Sequence, residues 1–198
     1  MKKFFTLLFF LAFLSPANQA QVIPNYVPYQ TMTPDQLKNY RHKIWDTLPA
    51  AIGWINDFED LFTESQEHLL EKTLAHFERT TSVEIAVVTV DSNMVAKNQF
   101  DEFGYRILKI WGIGKISKSN GILICICKDY KKICVITDFG IDKYVSEPEK
   151  NKMISRDFLP YFARNDYFDG TSNGLNALLN RIAKRWNKEK TEELSYLK

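Results

Sequence analysis

Histidine is scarce in this sequence, and what there is lies scattered. His42, His68 and His76 show no ligand spacing, and none sits beside a serine in a way that builds a Ser–His pair. That weakens both a zinc centre and hydrolase chemistry of the serine type. Gly-x-Ser-x-Gly, Gly-x-x-x-x-Gly-Lys and the metalloprotease helix motif are missing. "GIG" at 112–114 follows a predicted helix, whereas a dinucleotide fingerprint follows a strand, so Gly112 reads as a helix C-cap. There is no internal repeat and no low-complexity stretch. Three cysteines, Cys125, Cys127 and Cys134, make an odd count, which leaves at least one unpaired within the chain. A two-residue turn at Tyr130–Lys131 puts Cys127 opposite Cys134, where a cross-strand disulfide is an option. The reading taken is that all three are small apolar core residues.

A basic excess is missing too, once the first segment is set apart. "MKKFFTLLFFLAFLSPANQAQ" has Lys2 and Lys3, an apolar run over Phe4–Leu14, then Pro16, Ala17 and Ala20. This is the pattern of a secretory signal peptide over 1–20, cut after Ala20. The run is shorter than the roughly 20 residues that a membrane span needs. An uncleaved anchor is the alternative. Of the 26 Lys and Arg, two lie in this leader, so 24 face 24 Asp and Glu in the mature chain. Neutrality argues against nucleic acid or a membrane surface as partner. No second apolar run reaches membrane length, so the mature chain is expected to be soluble, secreted or periplasmic, with no transmembrane segment.

What is there is an α/β alternation. Residues 21–52 read as an N-terminal arm with a short helix after Thr33, marked by Pro34 and by Leu37, Tyr40, Ile44 and Leu48 at helical spacing. The compact domain is expected over 53–190, with a tail over 191–198. "GWINDF" is a short strand. Thr63 and Gln66 form a capping box at the head of a helix carrying Leu69, Leu70, Leu74 and Phe77. "SVEIAVVTVD" and "NGILICICKD" are apolar on both parities, as strands covered on both faces must be. Residues 98–111 form a helix between them, and "KKICVITDFG" returns as a hairpin partner. A helix from Ser146 to about Pro160 and another through Leu175–Trp186 complete the series, with 160–170 as an aromatic loop. The order predicts a three-layer α/β/α sandwich, Rossmann-like, around a small mixed sheet.

Oxygen ligands are the remaining chemistry. Asp57, Asp91, Asn120, Asp138 and Asp142 fall at predicted strand ends or beside them, where a hard cation finds carboxylate and carbonyl oxygens. The competing reading is that each is a turn former bonding its own backbone.

"INDFEDLFTESQEHLLEKTLAHFERTTSVEIAVVTV", "WGIG", "NGILICI", "FGID" and "LPYFARNDYFDG" come in an order and spacing that resemble the TPM domain. That is the family of a thylakoid lumen protein and of related bacterial envelope proteins. The resemblance covers about 55–187. It implies a Rossmann-like sandwich, calcium or magnesium binding and, for plant lumen members, acid phosphatase activity with a role in photosystem II repair. By the same resemblance the metal ligands are Asp57, Asn120, Asp142 and Asp166. Ser119 replaces the family's usual aspartate before Asn120, and Asp138 stands where glycine is usual. The expectation is an exported TPM-type protein that binds Ca2+ or Mg2+ at Asp57, Asn120 and Asp142, with Asp138 and Asp166 nearby. Metal-assisted phosphomonoester hydrolysis is the reaction if it is an enzyme. A non-catalytic envelope module docking a partner protein through 21–52 and the aromatics at 161–168 is the alternative.

Overall fold

The computed structural model describes residues 32–195. The leader and the first part of the arm lie outside them. Four strands lie in the order β1-β2-β3-β4: β1 (Ile55–Asp57), β2 (Glu84–Thr89), β3 (Gly121–Cys127) and β4 (Lys132–Thr137). The first three are parallel, and β4 returns antiparallel. Alternation along β2 and β3 fills two cores. Ile85, Val87, Ile122, Ile124 and Ile126 face one layer, while Ala86, Val88, Leu123, Cys125 and Cys127 face the other. This two-sided burial is why neither strand shows an apolar–polar alternation.

The first layer holds α2 (Glu64–Thr81), α4 (Glu147–Met153) and α6 (Tyr167–Ser195). Helix α2 starts at the predicted capping box, with Thr63 and Gln66 satisfying each other's backbone N–H groups. The second layer holds α3 (Phe100–Ile110) and α1 (Pro34–Asp46). Helix α3 ends at Gly112, whose φ of 65° is the left-handed cap that glycine adopts freely. Helix α1 has its own capping box at Thr33 and Gln36 and lies against α3. Ile44 is buried there, the Arg106 side chain donates to the Trp45 carbonyl (2.8 Å) and the Trp111 indole donates to the Pro49 carbonyl (2.9 Å).

Three expectations change. The β3–β4 turn takes four residues, 128–131, with Lys131 at a φ of 49°. The longer turn shifts the register by two, so Cys125 faces Cys134 and Cys127 faces Lys132. All three cysteines are free thiols, Cys125 and Cys127 buried and Cys134 half-buried. Pro160 does not end its helix. A π-turn over Ile154–Phe158 follows α4, and Pro160 then enters at the second position of α5 (Leu159–Phe162), where no N–H is required of it. The aromatic stretch at 160–170 is a loop only between α5 and α6. Phe162 meets Phe158 edge to face and lies tilted over Tyr167, with ring centroids 6.0 and 4.8 Å apart, and these rings seal the α5–α6 junction. Helix α6 runs 29 residues, through Ser195. No helix among the described residues is long and apolar enough to cross a membrane.

Candidate functional site

The five oxygen-bearing residues singled out in the sequence do not share one edge of the sheet. Because β4 is antiparallel, the start of β3 and the end of β4 lie together at the amino edge of the parallel strands. Asn120, Asp138 and Asp142 are there. The Asn120 carbonyl accepts from the Lys115 N–H (2.8 Å) and its amide donates to the Ser82 carbonyl (2.5 Å). Buried and doubly tied, this side chain staples the loop ahead of β3. Asp138 is paired with Lys109, and exposed Asp142 accepts from the Thr137 hydroxyl at 3.3 Å. Asp57 stands at the other end, level with Thr89 on β2. Asn120 is six residues of strand away from that level, which is about 20 Å. Asp166 closes the α5–α6 loop, exposed and 3.6 Å from Arg164. One cation cannot take oxygens from both edges, so the combined set does not fit.

The carboxyl edge is where open α/β sheets hold their ligands. Here Asp57 accepts from the Thr89 hydroxyl and, at 2.7 Å, from the Phe62 N–H, while Thr89 accepts from the Glu59 N–H at 2.9 Å. These bonds fold the β1–α2 loop over the strand ends and hold Glu59 inward. The Glu59 carboxylate reaches the hairpin tip, accepting from the Lys128 N–H at 2.9 and 3.2 Å, with the Cys127 sulfur 3.9 Å away. Burial pushes the Glu59 carboxyl up to about 8. The Lys128 N–H opposes that shift, and the nearby charges of Asp129 and Asp91 add to it. Glu59 therefore keeps its proton at neutral pH. Cys127 is pushed up to about 12, by burial first and by Glu59 second. It is no nucleophile at neutral pH.

Around Glu59 the loop after β2 and the hairpin tip are cross-linked. The Ser92 hydroxyl donates to Asp129 (2.6 Å), and Arg41 of α1 donates to the Ser92 carbonyl (2.7 Å) and to the Tyr130 hydroxyl (3.2 Å). Asp91 accepts from the Asn93 N–H at 2.7 Å. Asn93 is 1% exposed, and neither atom of its side-chain amide has a hydrogen-bond partner among the described residues. Tyr167, at the head of α6, lies near the same edge: burial first, then Glu59, Cys127 and Asp129 in their ionised forms, push its hydroxyl up.

Sequence reasoning singled out Asp57 and Asp91 among the residues at strand ends and missed Glu59 and Asp129. Both follow the carboxyl end of a parallel strand by two residues, a signal present in "INDFED" and "CICKD". Asp129 is masked by the three lysines around it in "KDYKK". Among the described residues no group of three or more His, Cys, Asp or Glu side chains is already disposed to hold a metal ion. Asp91 and Asp129 nonetheless lie close enough for their charges to raise the proton affinity of Glu59, which brings acidic side chains of three loops to one edge.

A mixed sheet with a parallel core, lying between two helical layers, defines an α/β sandwich of the Rossmann type. The TPM domain model matches residues 55–181, and the chain belongs to the TPM domain family. Among solved structures it is similar to the N-terminal domain of a protein from P. gingivalis, with a TM-score of 0.62 and 24% identity over 68% of this chain and 84% of that one. It is also similar to the BA42 protein of the psychrophilic bacterium Bizionia argentinensis, with a TM-score of 0.55 and 19% identity over 64% of this chain and 85% of that one. These likenesses concern the fold. No curated protein matches the chain.

Proposed function

We propose that this chain is an exported TPM module that binds a divalent cation, Ca2+ or Mg2+, at the carboxyl edge of its parallel strands. Glu59, Asp91 and Asp129 are the ligands, and Asp57 positions the Glu59 loop. The observation that carries this reading is the placement of Glu59, held inward by the bonds to Thr89 and the Lys128 N–H, with Asp91 and Asp129 near enough to add to the rise that burial imposes on its carboxyl. A cation relieves that crowding in place of the proton. To bind it, Glu59 gives up its proton and turns from the Lys128 N–H. When bound at such an edge, a cation supplies charge neutralisation for a phosphomonoester and a water of lowered pKa. Ser92 and Arg41 border the same edge and orient the loop that carries Asp91. The leader sequence supports export. A second reading, a non-catalytic envelope module that docks a partner protein, is favoured by Ile116 and Phe139. These are 99% and 79% exposed on adjoining loops at the amino edge.

Calcium and magnesium titration of residues 21–198 by two-dimensional NMR tests the proposal. Saturable shifts should gather at 57–60, 91–93 and 128–130. Glu59→Gln should weaken binding at least tenfold, and Asn120→Ala should leave it unchanged. Shifts centred on Asn120 and Asp142 would return the site to the amino edge, and no shifts at millimolar cation would favour the docking module. Turnover of a simple phosphomonoester should disappear in Glu59→Gln. Turnover that persists would separate hydrolysis from this edge.

A further inference from the structure

We propose that Cys125 and Cys134 are a redox pair that a disulfide oxidant converts to a cross-strand disulfide, with Cys127 left as the free thiol. The two residues face each other directly in the β3–β4 ladder. The Asp138 N–H donates to the Gly121 carbonyl, so by alternation Cys125 and Cys134 form a hydrogen-bonded pair, with Cα atoms about 5.5 Å apart. That lies within the roughly 4.4–6.8 Å that a disulfide bridges. Their side chains project to the same side of the sheet, into the core layer under α3. Above them α3 carries a glycine. A Cβ on Gly104 would come within 3.3 Å of the Cys134 sulfur and 3.5 Å of the Cys125 Cβ, so the bare backbone leaves the two sulfurs their room. Cys127 has no such geometry. It faces Lys132, stands two residues along the strand from Cys125, and its sulfur points to Glu59.

The reaction balances as two thiol–disulfide exchanges. Cys134, the more exposed of the two, attacks one sulfur of the oxidant's disulfide as its thiolate and releases one oxidant thiol. The Cys125 thiolate then attacks the Cys134 sulfur of this mixed disulfide and expels the second oxidant thiol. The protein loses two electrons and two protons, and the oxidant is reduced to two thiols. Burial and the neighbouring Cys134 thiol push the Cys125 thiol well up, so the second step is slow in the folded chain and faster before α3 closes over the strands.

The test counts thiols in denaturant, with peptide mapping, after treatment of the reduced full-length chain with glutathione disulfide. One sample is treated folded and one during refolding. The wild type should fall from three thiols to one in the refolding sample, with Cys125 and Cys134 joined in the map. Cys127→Ser should fall to none, and Cys134→Ser should keep both of its thiols. Three thiols persisting in both samples would overturn the proposal. So would a mapped bond to Cys127, or a glutathione adduct on Cys134 that Cys125 never resolves.

Discussion

Glu59 is the side chain with the most to lose when the pH changes. Its carboxyl titrates near 4.5 in an unfolded chain and at about 8 in the folded one. Between those values the folded chain holds a proton that the unfolded chain has released, so stability falls as pH rises through this window and levels off above it. The loss should be on the order of 3 kcal/mol once the partial exposure of the group is allowed for. Urea unfolding at either end of the window measures it. Glu59→Gln, which keeps an acceptor for the Lys128 N–H, should flatten the profile and leave the variant more stable than the wild type at the alkaline end. An unchanged slope in that variant would move the titration to another group. Asp57 and Asn120, chosen from the sequence, have both of their side-chain polar atoms occupied by hydrogen bonds within the protein. Residue type alone cannot distinguish an oxygen that holds a loop from one that awaits a ligand.

At the scale of elements, the junction between the π-turn and α6 is a tight fit. A Cβ on Gly174 would stand 2.1 Å from the ring of Phe158, a buried side chain with no room to retreat. Gly174→Ala should therefore cost about 1–3 kcal/mol despite the better helix propensity of alanine, read as a lower urea midpoint with an unchanged slope. If alanine stabilises instead, the junction is looser than it looks. This junction was only half legible. Helices α2 and α3 announced themselves by caps and by periodic apolar residues, and β2 and β3 by apolar runs. Pro160 was read as a stop because proline usually is one, and the π-turn that accommodates it depends on packing against α6. The hairpin was misread for a similar reason: Lys131 in the left-handed region lengthens the turn, and lysine carries no signal for that conformation. One slip of two residues then exchanged the partner of Cys134.

For the whole molecule, the informative helix is α1, read from the sequence as part of an arm. It covers α3 rather than standing apart. Ile44 enters the core behind the sheet, Trp45 packs on Phe103 with ring centroids 5.8 Å apart, and Arg41 reaches the carboxyl edge. Ile44→Ala should cost about 2–4 kcal/mol, and removal of residues up to 49 should destabilise the domain at least as much. Thermal unfolding of the two variants measures this; a truncated chain as stable as the full one would make α1 an accessory. Only Ile44 and its neighbours betrayed this in the sequence, since a single amphipathic helix says nothing about which surface it covers.

Helix α6 is the longest element, 29 residues, or about 43 Å, against a sheet whose longest strand, of seven residues, spans about 23 Å. Its last side chain packed against the core is Trp186. Beyond it the helix leans on Glu189, which holds Lys143 and Tyr144, and on an exposed pair between Lys188 and Glu192. Amide hydrogen exchange should therefore divide this one helix into two kinetic halves: slow up to Trp186, opening only with the domain, and fast beyond it, where single turns fray on their own.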